Sequence, residues 1–172
     1  ADRRVRLDGI DGFDSLSELL TQKPEIECVS VCTPASSRVS NALLAVEAGC
    51  HVMLEKPPGI SVKEVQTLAD RAQLKGVTLF ASWHSRYAAA VQAARSWISE
   101  RSVERIKINW KEDVRRWHPR QNWIWEPDGF GIFDPAINAL SLLTEIYSHD
   151  LRVTEAQLAF PANRHTPIAA SL

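Results

Sequence analysis

The sequence predicts an α/β protein in which a parallel sheet wrapped by helices is followed by an α+β half with an open mixed sheet. In the first half, strand-like runs and helical segments alternate across short connections, which is typical of parallel sheets. In the second half, strand-like segments flank one long helical segment without this alternation. The change of pattern places a domain boundary after residue 84.

The first half contains three predicted helices and three predicted strands. The helices span residues 15–21, 36–48 and 61–75, and the strands span residues 26–32, 51–54 and 77–82. Ser61 with Glu64 three residues later forms a capping-box motif, which predicts the start of the third helix. Gly76 predicts its end.

The second half is predicted to begin with a helix over residues 86–99. Residues 105–112 then alternate apolar and polar side chains with period two, which predicts a half-buried strand. A loop rich in tryptophan covers residues 117–125, and a helix is expected over residues 133–147. Two further strands are expected over residues 151–160 and 166–172.

Composition narrows the class of protein. The 172 residues are 45% hydrophobic and 24% charged, with a net charge of -1, as in ordinary globular proteins. A charge so close to zero argues against nucleic acid or an anionic membrane as partner, and no apolar run is long enough to span a bilayer. Cys28, Cys32 and Cys50 lack the spacing of a zinc site or a disulfide framework. We therefore expect no metal, and buried thiols in a reducing cytoplasm.

Chemically active residues follow three successive predicted strands. They form the segments Thr33-Pro34, Glu55-Lys56-Pro57 and Ser82-Trp83-His84. In parallel sheets, ligands bind beyond the carboxyl ends of the strands, so these segments predict a binding edge. Prolines stiffen the turn at Lys56, where a cis Lys-Pro bond is possible. That lysine could hold a substrate hydroxyl, or it could be a surface residue paired with Glu55.

Asp134 and Asn138 are four residues apart on the long predicted helix and therefore share one face. Gly129 and Gly131 precede this helix and would let a ligand approach its N-terminus. This pattern suits a functional site. The alternative is that Asp134 caps the helix and Asn138 is a satisfied polar residue.

The tryptophan-rich loop has the composition of a sugar subsite, with flat apolar faces for C–H edges and polar tips for hydroxyls. Its aromatic and polar members are Trp117, Trp123, Trp125, Glu112, His118 and Gln121. Tryptophans also pack domain interfaces, and that role is the better interpretation for Trp97 and Trp110.

Several strings of residues resemble one family. HVMLEKP is similar to the strand and EKP motif of the Gfo/Idh/MocA oxidoreductases, and VSVCTP resembles their preceding cofactor-facing strand. SWHSRY stands where that family carries an Asn-Arg-aromatic segment. WKEDVRRWHP, WIWEP and GIFDPAINALS resemble more narrowly the branch of L-arabinose and D-galactose 1-dehydrogenases.

The resemblance implies a partial Rossmann-type domain over residues 1–84, without its first strands and its G-x-G-x-x-G turn. It implies the truncated beginning of an α+β substrate domain over residues 85–172. By itself, the chain of residues 1–172 is expected to be inactive and to bind no dinucleotide.

The resemblance also assigns roles to single residues. Lys56, Asp134 and Asn138 would be catalytic, with Asn138 replacing the histidine of many members. The implied sugar contacts are His84, Glu112, Trp117 and His118, and the implied cofactor contacts are Asp2, Arg3, Thr33, Pro34 and Glu55. An acid at Asp2 favours NAD, whereas Arg3 could pair with the phosphate of NADP, so dual specificity leaning to NAD is expected.

The implied activity is transfer of hydride from the C1 hydroxyl of an aldose to NAD or NADP, which gives an aldonolactone. We expect a cytoplasmic protein that is a homo-oligomer at full length. The alternative is a non-enzymatic, sugar-sensing regulator of the same fold, although a regulator need not keep Lys56, Asp134 and Asn138. A carbohydrate-binding module is disfavoured by the alternation of strands and helices.

Overall fold

The structure, a computed structural model, describes residues 8–127 and 129–172 and divides the chain into two compact units. The first unit ends at Ser82, and the second runs from Trp83 to Leu172. The boundary predicted from the sequence lies two residues further along the chain. None of the described helices is both long and apolar enough to cross a membrane.

The first unit contains the predicted parallel sheet. Its three strands are β1 (Cys28–Val31), β2 (His51–Glu55) and β3 (Leu79–Ser82), in the order β1-β2-β3. Both neighbouring pairs are parallel. The helices are α1 (Leu16–Gln22), α2 (Ala35–Glu47) and α3 (Val62–Lys75). The α/β prediction is confirmed, and each element lies within a few residues of its predicted bounds.

The helix ends follow local side-chain chemistry. The Ser15 side chain accepts a hydrogen bond from the backbone N–H of Glu18 and caps α1. Ser61 and Glu64 form the predicted capping box at the start of α3, each side chain accepting from the other's backbone N–H. These bonds satisfy N–H groups that have no partner within the helix. Gly76 ends α3 in the left-handed conformation, as predicted.

Alternation along the strands places the core on one face of the sheet. Val52 and Leu54 are almost fully buried, whereas Met53 between them is 45% exposed. The buried face packs against α2, and Leu68 of α3 joins the same cluster. Successive side chains of a strand point to opposite faces of the sheet. The described helices pack against the face that bears Val52 and Leu54, and none of them covers the face that bears Met53.

The packing of the sheet also explains which cysteines are buried and which are exposed. Cys50 is buried, its thiol donates to the carbonyl oxygen of Ile26 at 3.2 Å, and burial raises the pKa of that thiol. Cys28 and Cys32 are exposed, so the prediction of buried thiols is wrong for these two. Cys28 pairs in register with His51 and shares the open face with Met53. Its period-two position was recognisable from the sequence, but the absence of a covering helix was not.

The second unit is built around α6 (Phe133–Ile146). It also contains α4 (Val91–Ser99), α5 (Val114–Trp117), an antiparallel pair β4 (Gln157–Ala159) and β5 (Ala169–Ser171), and 3-10 helices at His84–Tyr87 and Asn122–Trp125. The helix predicted over residues 86–99 is thus a 3-10 turn followed by α4. Both predicted C-terminal strands exist but are shorter.

The strand predicted over residues 105–112 is not formed in the described chain. Ile106, Ile108 and Trp110, which would have formed the buried face of that strand, are 38%, 44% and 37% exposed. Period-two alternation shows which side chains would share a face, but a strand also requires backbone pairing with a neighbour. In the described part of the second unit, only β4 and β5 supply such pairing.

An ion-pair cluster holds the helices of the second unit together. Glu145 of α6 is only 12% exposed at its side chain and accepts hydrogen bonds from Arg86 and from Arg95, the latter at 2.9 Å. Arg86 lies in the first 3-10 helix and Arg95 lies in α4. One carboxylate therefore fixes both segments against α6.

The core of the first unit can be tested within a single helix. Leu68→Ala should lower the free energy of unfolding of the full-length protein by about 2–5 kcal/mol, because Leu68 is fully buried and the change leaves a cavity. Leu74→Ala is the matched control on the same helix. Leu74 is 76% exposed, so its loss should change stability by less than about 0.5 kcal/mol in urea titrations. Equal effects of the two substitutions would refute this placement of the core.

Candidate functional site

The first unit presents polar groups along one edge of its sheet. Thr33 and Pro34 follow β1, Lys56 follows β2, and Ser82 ends β3. Glu55 and Ser82 are register partners, so the ends of β2 and β3 are level. The polar residues of the predicted edge are thus aligned in the first unit, and their binding of a ligand stays a prediction. His84 belongs to the second unit.

The turn at Lys56 is tightly bonded to its surroundings. The Lys56–Pro57 peptide bond is cis. The backbone N–H of Lys56 donates to the Glu55 carboxylate at 2.9 Å. Arg38 of α2 donates to the backbone carbonyl oxygens of Glu55, at 3.0 Å, and of Pro57. The backbone on both sides of Lys56 is therefore held in place.

Two buried hydroxyl oxygens at this edge have no hydrogen-bond partner among the described residues. They belong to Thr33, just after β1, and to Ser82, at the end of β3. A buried polar atom without a partner is costly, so a bound water or ligand is expected to supply the missing partner. A hydroxyl can both donate and accept a hydrogen bond, so either group can bind a polar atom of a ligand. Thr33 was predicted to contact the cofactor, whereas Ser82 was placed at the edge without a role.

In the second unit, α6 positions both of its predicted catalytic residues. Asp134 lies in the first turn and is 8% exposed, and Asn138 lies one turn later. The Asp134 carboxylate is 2.9 Å from Nε2 of His118. The amide oxygen of Asn138 accepts from the Ser85 hydroxyl at 3.1 Å, which leaves the amide N–H groups of Asn138 to serve as donors.

His118 is fixed by three neighbours. Its Nδ1 is 3.2 Å from the amide oxygen of Gln121, and the same oxygen accepts from the Trp123 indole at 3.0 Å. The rings of His118 and Trp123 meet edge to face at 5.5 Å. The imidazole thus lies between two oxygens, those of Gln121 and Asp134.

Imidazole and carboxylate are side chains widely used as general acids and bases, so the hydrogen-bonded pair of His118 and Asp134 is a candidate for proton transfer.

The alternative role of Asp134 as a helix cap does not fit the structure. Ile132 occupies the N-cap position of α6, and no side chain of the described residues caps this helix. Asp134 instead directs its carboxylate to His118. The pairing joins a predicted catalytic residue to a predicted sugar contact, a combination that their separation in sequence did not reveal.

The other predicted sugar residues have different surroundings. Glu112 is exposed and accepts from the Trp110 indole at 2.6 Å. Trp117 is 57% exposed with the Arg116 guanidinium 5.1 Å from its ring centre, and His84 is exposed at the start of its 3-10 helix. Their contact with a sugar remains a prediction.

Two further expectations concern the cofactor and metals. Asp2 and Arg3, expected to select between NAD and NADP, lie outside the described residues. Among residues 8–127 and 129–172, no three His, Cys, Asp or Glu side chains are grouped so that they could hold a metal ion.

The glycines before α6 serve packing within the protein, not the approach of a ligand. Gly131 has φ +49, and a Cβ there would meet the Pro167 carbonyl oxygen and the Thr166 side chain. A Cβ on Gly129 would meet the backbone of the Trp123–Ile124 segment. The space that was expected to admit a ligand is therefore filled by neighbouring segments.

This packing predicts the effect of a single methyl group. Gly131→Ala should lower the free energy of unfolding by about 1–3 kcal/mol, because it adds both backbone strain and a steric overlap. In the control Gly12→Ala, nothing lies within 4 Å of the added Cβ. The control should leave stability unchanged or raise it by up to about 1 kcal/mol, since alanine restricts the unfolded chain. If Gly131→Ala unfolds at the same urea concentration as wild type, the close packing is refuted.

Comparison with known proteins identifies the first unit. Residues 3–82 match the family described as an oxidoreductase family with an NAD-binding Rossmann fold, GFO_IDH_MocA. The chain is 42% identical to galactose 1-dehydrogenase of Pseudomonas fluorescens over 164 residues, which cover 95% of this chain and 53% of that relative.

Solved structures extend the similarity to both units. D-galactose-1-dehydrogenase from Rhizobium etli has a TM-score of 0.91 at 46% identity, covering 98% of this chain and 54% of its own. The WlbA dehydrogenase of Bordetella pertussis, solved with NADH and UDP-GlcNAcA, has a TM-score of 0.77 at 22% identity, covering 92% of this chain and 47% of its own. The second likeness shows a shared fold alone.

The chain spans about half the length of the curated relatives that it matches. The match at residues 3–82 agrees with the parallel sheet of the first unit and with the EKP turn that follows β2. The first unit therefore carries the NAD-binding Rossmann fold of the Gfo/Idh/MocA oxidoreductase family.

Proposed function

We propose that the full-length protein is an NAD(P)-dependent aldose 1-dehydrogenase. It transfers hydride from the C1 hydroxyl carbon of an aldose such as D-galactose or L-arabinose and releases an aldonolactone. The observation that carries this proposal is the Asp134–His118 hydrogen bond, because it joins two residue types used in general acid–base catalysis within a chain similar to galactose 1-dehydrogenases.

The first unit binds the cofactor in this proposal. Thr33, Pro34 and Glu55 line the nicotinamide end, and the Ser82 hydroxyl is a further contact, supported by its buried and unpaired oxygen. Asp2 and Arg3 act at the adenosine end and give dual specificity that leans to NAD. When bound, the nicotinamide ring supplies the acceptor for the hydride.

Oxidation at C1 requires that a proton leave the C1 hydroxyl as the hydride leaves the carbon. As the hydride leaves and the C1–O bond becomes a double bond, a protein group must take the proton of the hydroxyl. In our proposal Lys56 and Asp134 are the proton-handling groups of the protein. His118 orients the Asp134 carboxylate.

The remaining polar residues bind the sugar. Asn138 donates from its amide nitrogen to a sugar hydroxyl, while Ser85 holds the amide oxygen. His84, Glu112, Trp117 and His118 complete the proposed sugar contacts. Cytoplasmic location and homo-oligomerisation of the full-length protein remain predictions.

Replacing the proposed proton-handling groups tests this function. Lys56→Ala and Asp134→Ala should each lower kcat of the full-length protein by about 10²–10⁴-fold, the usual contribution of a general acid or base. Calorimetry should show nearly unchanged affinity for NAD. The controls are Lys63→Ala, on the exposed side of α3, and Asp150→Ala, in an exposed loop; both should be fully active. A Lys56→Ala protein that oxidises D-galactose and L-arabinose at near-normal rates would contradict the mechanism.

The role of Asn138 predicts a different kinetic pattern. Asn138→Ala should raise KM for the sugar as well as lower kcat, because the lost donor contacts the substrate in both the ground state and the transition state. Ser85→Ala removes only the group that holds the amide oxygen and should have a smaller effect in the same direction. An Asn138→Ala protein with unchanged KM would exclude Asn138 from the sugar site.

A further inference from the structure

Arg38 is the one arginine among the buried residues of the described chain. It lies in the first turn of α2 and is 5% exposed. Its guanidinium donates to three backbone carbonyl oxygens, those of Thr33, Glu55 and Pro57. Thr33 follows β1, and the other two residues end and follow β2. A single side chain thus joins the loops at the ends of two strands.

The chemistry of the guanidinium explains why this residue type suits the position. Arginine presents five N–H donors in a rigid planar fork, whereas lysine presents one ammonium group on a flexible stem. Nη1 reaches the carbonyls of Glu55 and Pro57, and Nη2 reaches Thr33 in the other loop. An apolar residue of similar volume would leave these carbonyl oxygens without those donors.

The bonded carbonyls lie on both sides of Lys56 in the sequence. Arg38 therefore fixes the backbone before and after that residue, and the Lys56 N–H is held in addition by the Glu55 carboxylate at 2.9 Å. The same guanidinium fixes the loop that carries Thr33, whose hydroxyl oxygen is buried and unpaired. Both loops are the ones to which the proposed function assigns cofactor and proton-handling residues.

We propose that Arg38 is a positioning residue, which sets the Lys56 turn relative to the Thr33 loop by a fork of hydrogen bonds to their backbone carbonyls. This inference rests on the proposed function, because it acts through Lys56. In this proposal Arg38 acts through the backbone of the two loops. Its loss displaces Lys56 without removing it, and a displacement on the order of 1 Å can slow a reaction about 10²-fold.

The test uses the full-length protein with Arg38→Met, Arg38→Lys and the control Arg71→Met. Arg71 lies on α3 in the same unit, where it pairs with Glu47 at the surface. Arg38→Met should lower kcat by about 10–10²-fold and leave KM for the sugar nearly unchanged. Arg38→Lys should recover only part of the loss, because an ammonium group cannot reach both loops in the same geometry. Arg71→Met should be fully active.

A double substitution separates positioning from simple stabilisation. In a Lys56→Ala background, Arg38→Met should cause little further loss of kcat, since the two residues act through one group. If Arg38 only stabilises the fold, Arg38→Met will lower Tm but keep normal kcat per folded molecule. That result, or fully additive losses in the double variant, would overturn the inference.

Hydrogen exchange provides a measurement that does not depend on activity. Peptides covering residues 32–37 and 54–60 should exchange faster in Arg38→Met than in wild type and should be unaffected by Arg71→Met. If the wild-type protein oxidises no aldose, the proposed function fails, yet this exchange pattern would still support the fork. If the wild-type protein is active and exchange in both peptides is unchanged by Arg38→Met, the inference fails and the proposed function stands.

Discussion

The parallel register of β1, β2 and β3 is the constraint on which the first unit depends. Parallel strands must be joined by crossovers, and α2 and α3 serve as these connections. The crossovers return the chain to the same end of the sheet each time, so every strand releases its following loop at one edge. That edge gathers the Thr33 loop, the Lys56 turn and Ser82. It also explains why a residue on α2 can bond to two loops.

In the second unit, burial of Asp134 is the corresponding constraint. The Asp134 side chain is only 11% exposed, so its carboxyl group requires strong hydrogen-bond partners, and His118 is such a partner. The position of His118 depends in turn on Gln121 and Trp123, which lie at the start of the 3-10 helix Asn122–Trp125. The tryptophan-rich segment therefore orients the His118 imidazole, and this role does not depend on contact with a sugar.

The sequence predicted those parts of the fold that depend on local signals. The capping box at Ser61, the stop at Gly76 and the β-branched runs of the first sheet act within a few residues, and the structure confirms each of them. The EKP turn was recognisable from its order along the chain. Its link to Arg38 was not, because that link joins residues 17 to 19 apart through a side chain.

The features that the sequence did not predict share one physical cause. Each of them depends on contacts with residues that are distant in the sequence. The alternating segment over residues 105–112 had the pattern of a strand but finds no paired neighbour in the described chain. Gly131 was assigned to ligand approach because its packing against Pro167 is non-local. The unpaired hydroxyl of Ser82 and the bond from His118 to Asp134 likewise depend on tertiary geometry, which no spacing rule contains.

The most direct test of the account follows the hydrogen atom at C1. The full-length protein is incubated with NAD and D-galactose carrying deuterium at C1, and the reduced cofactor and the sugar product are analysed by mass spectrometry. The account predicts deuterium on the reduced cofactor and an aldonolactone, or its hydrolysed acid, as product. A protein that binds the sugar but leaves the label on C1 and the cofactor oxidised would contradict it and would support the sugar-sensing regulator instead.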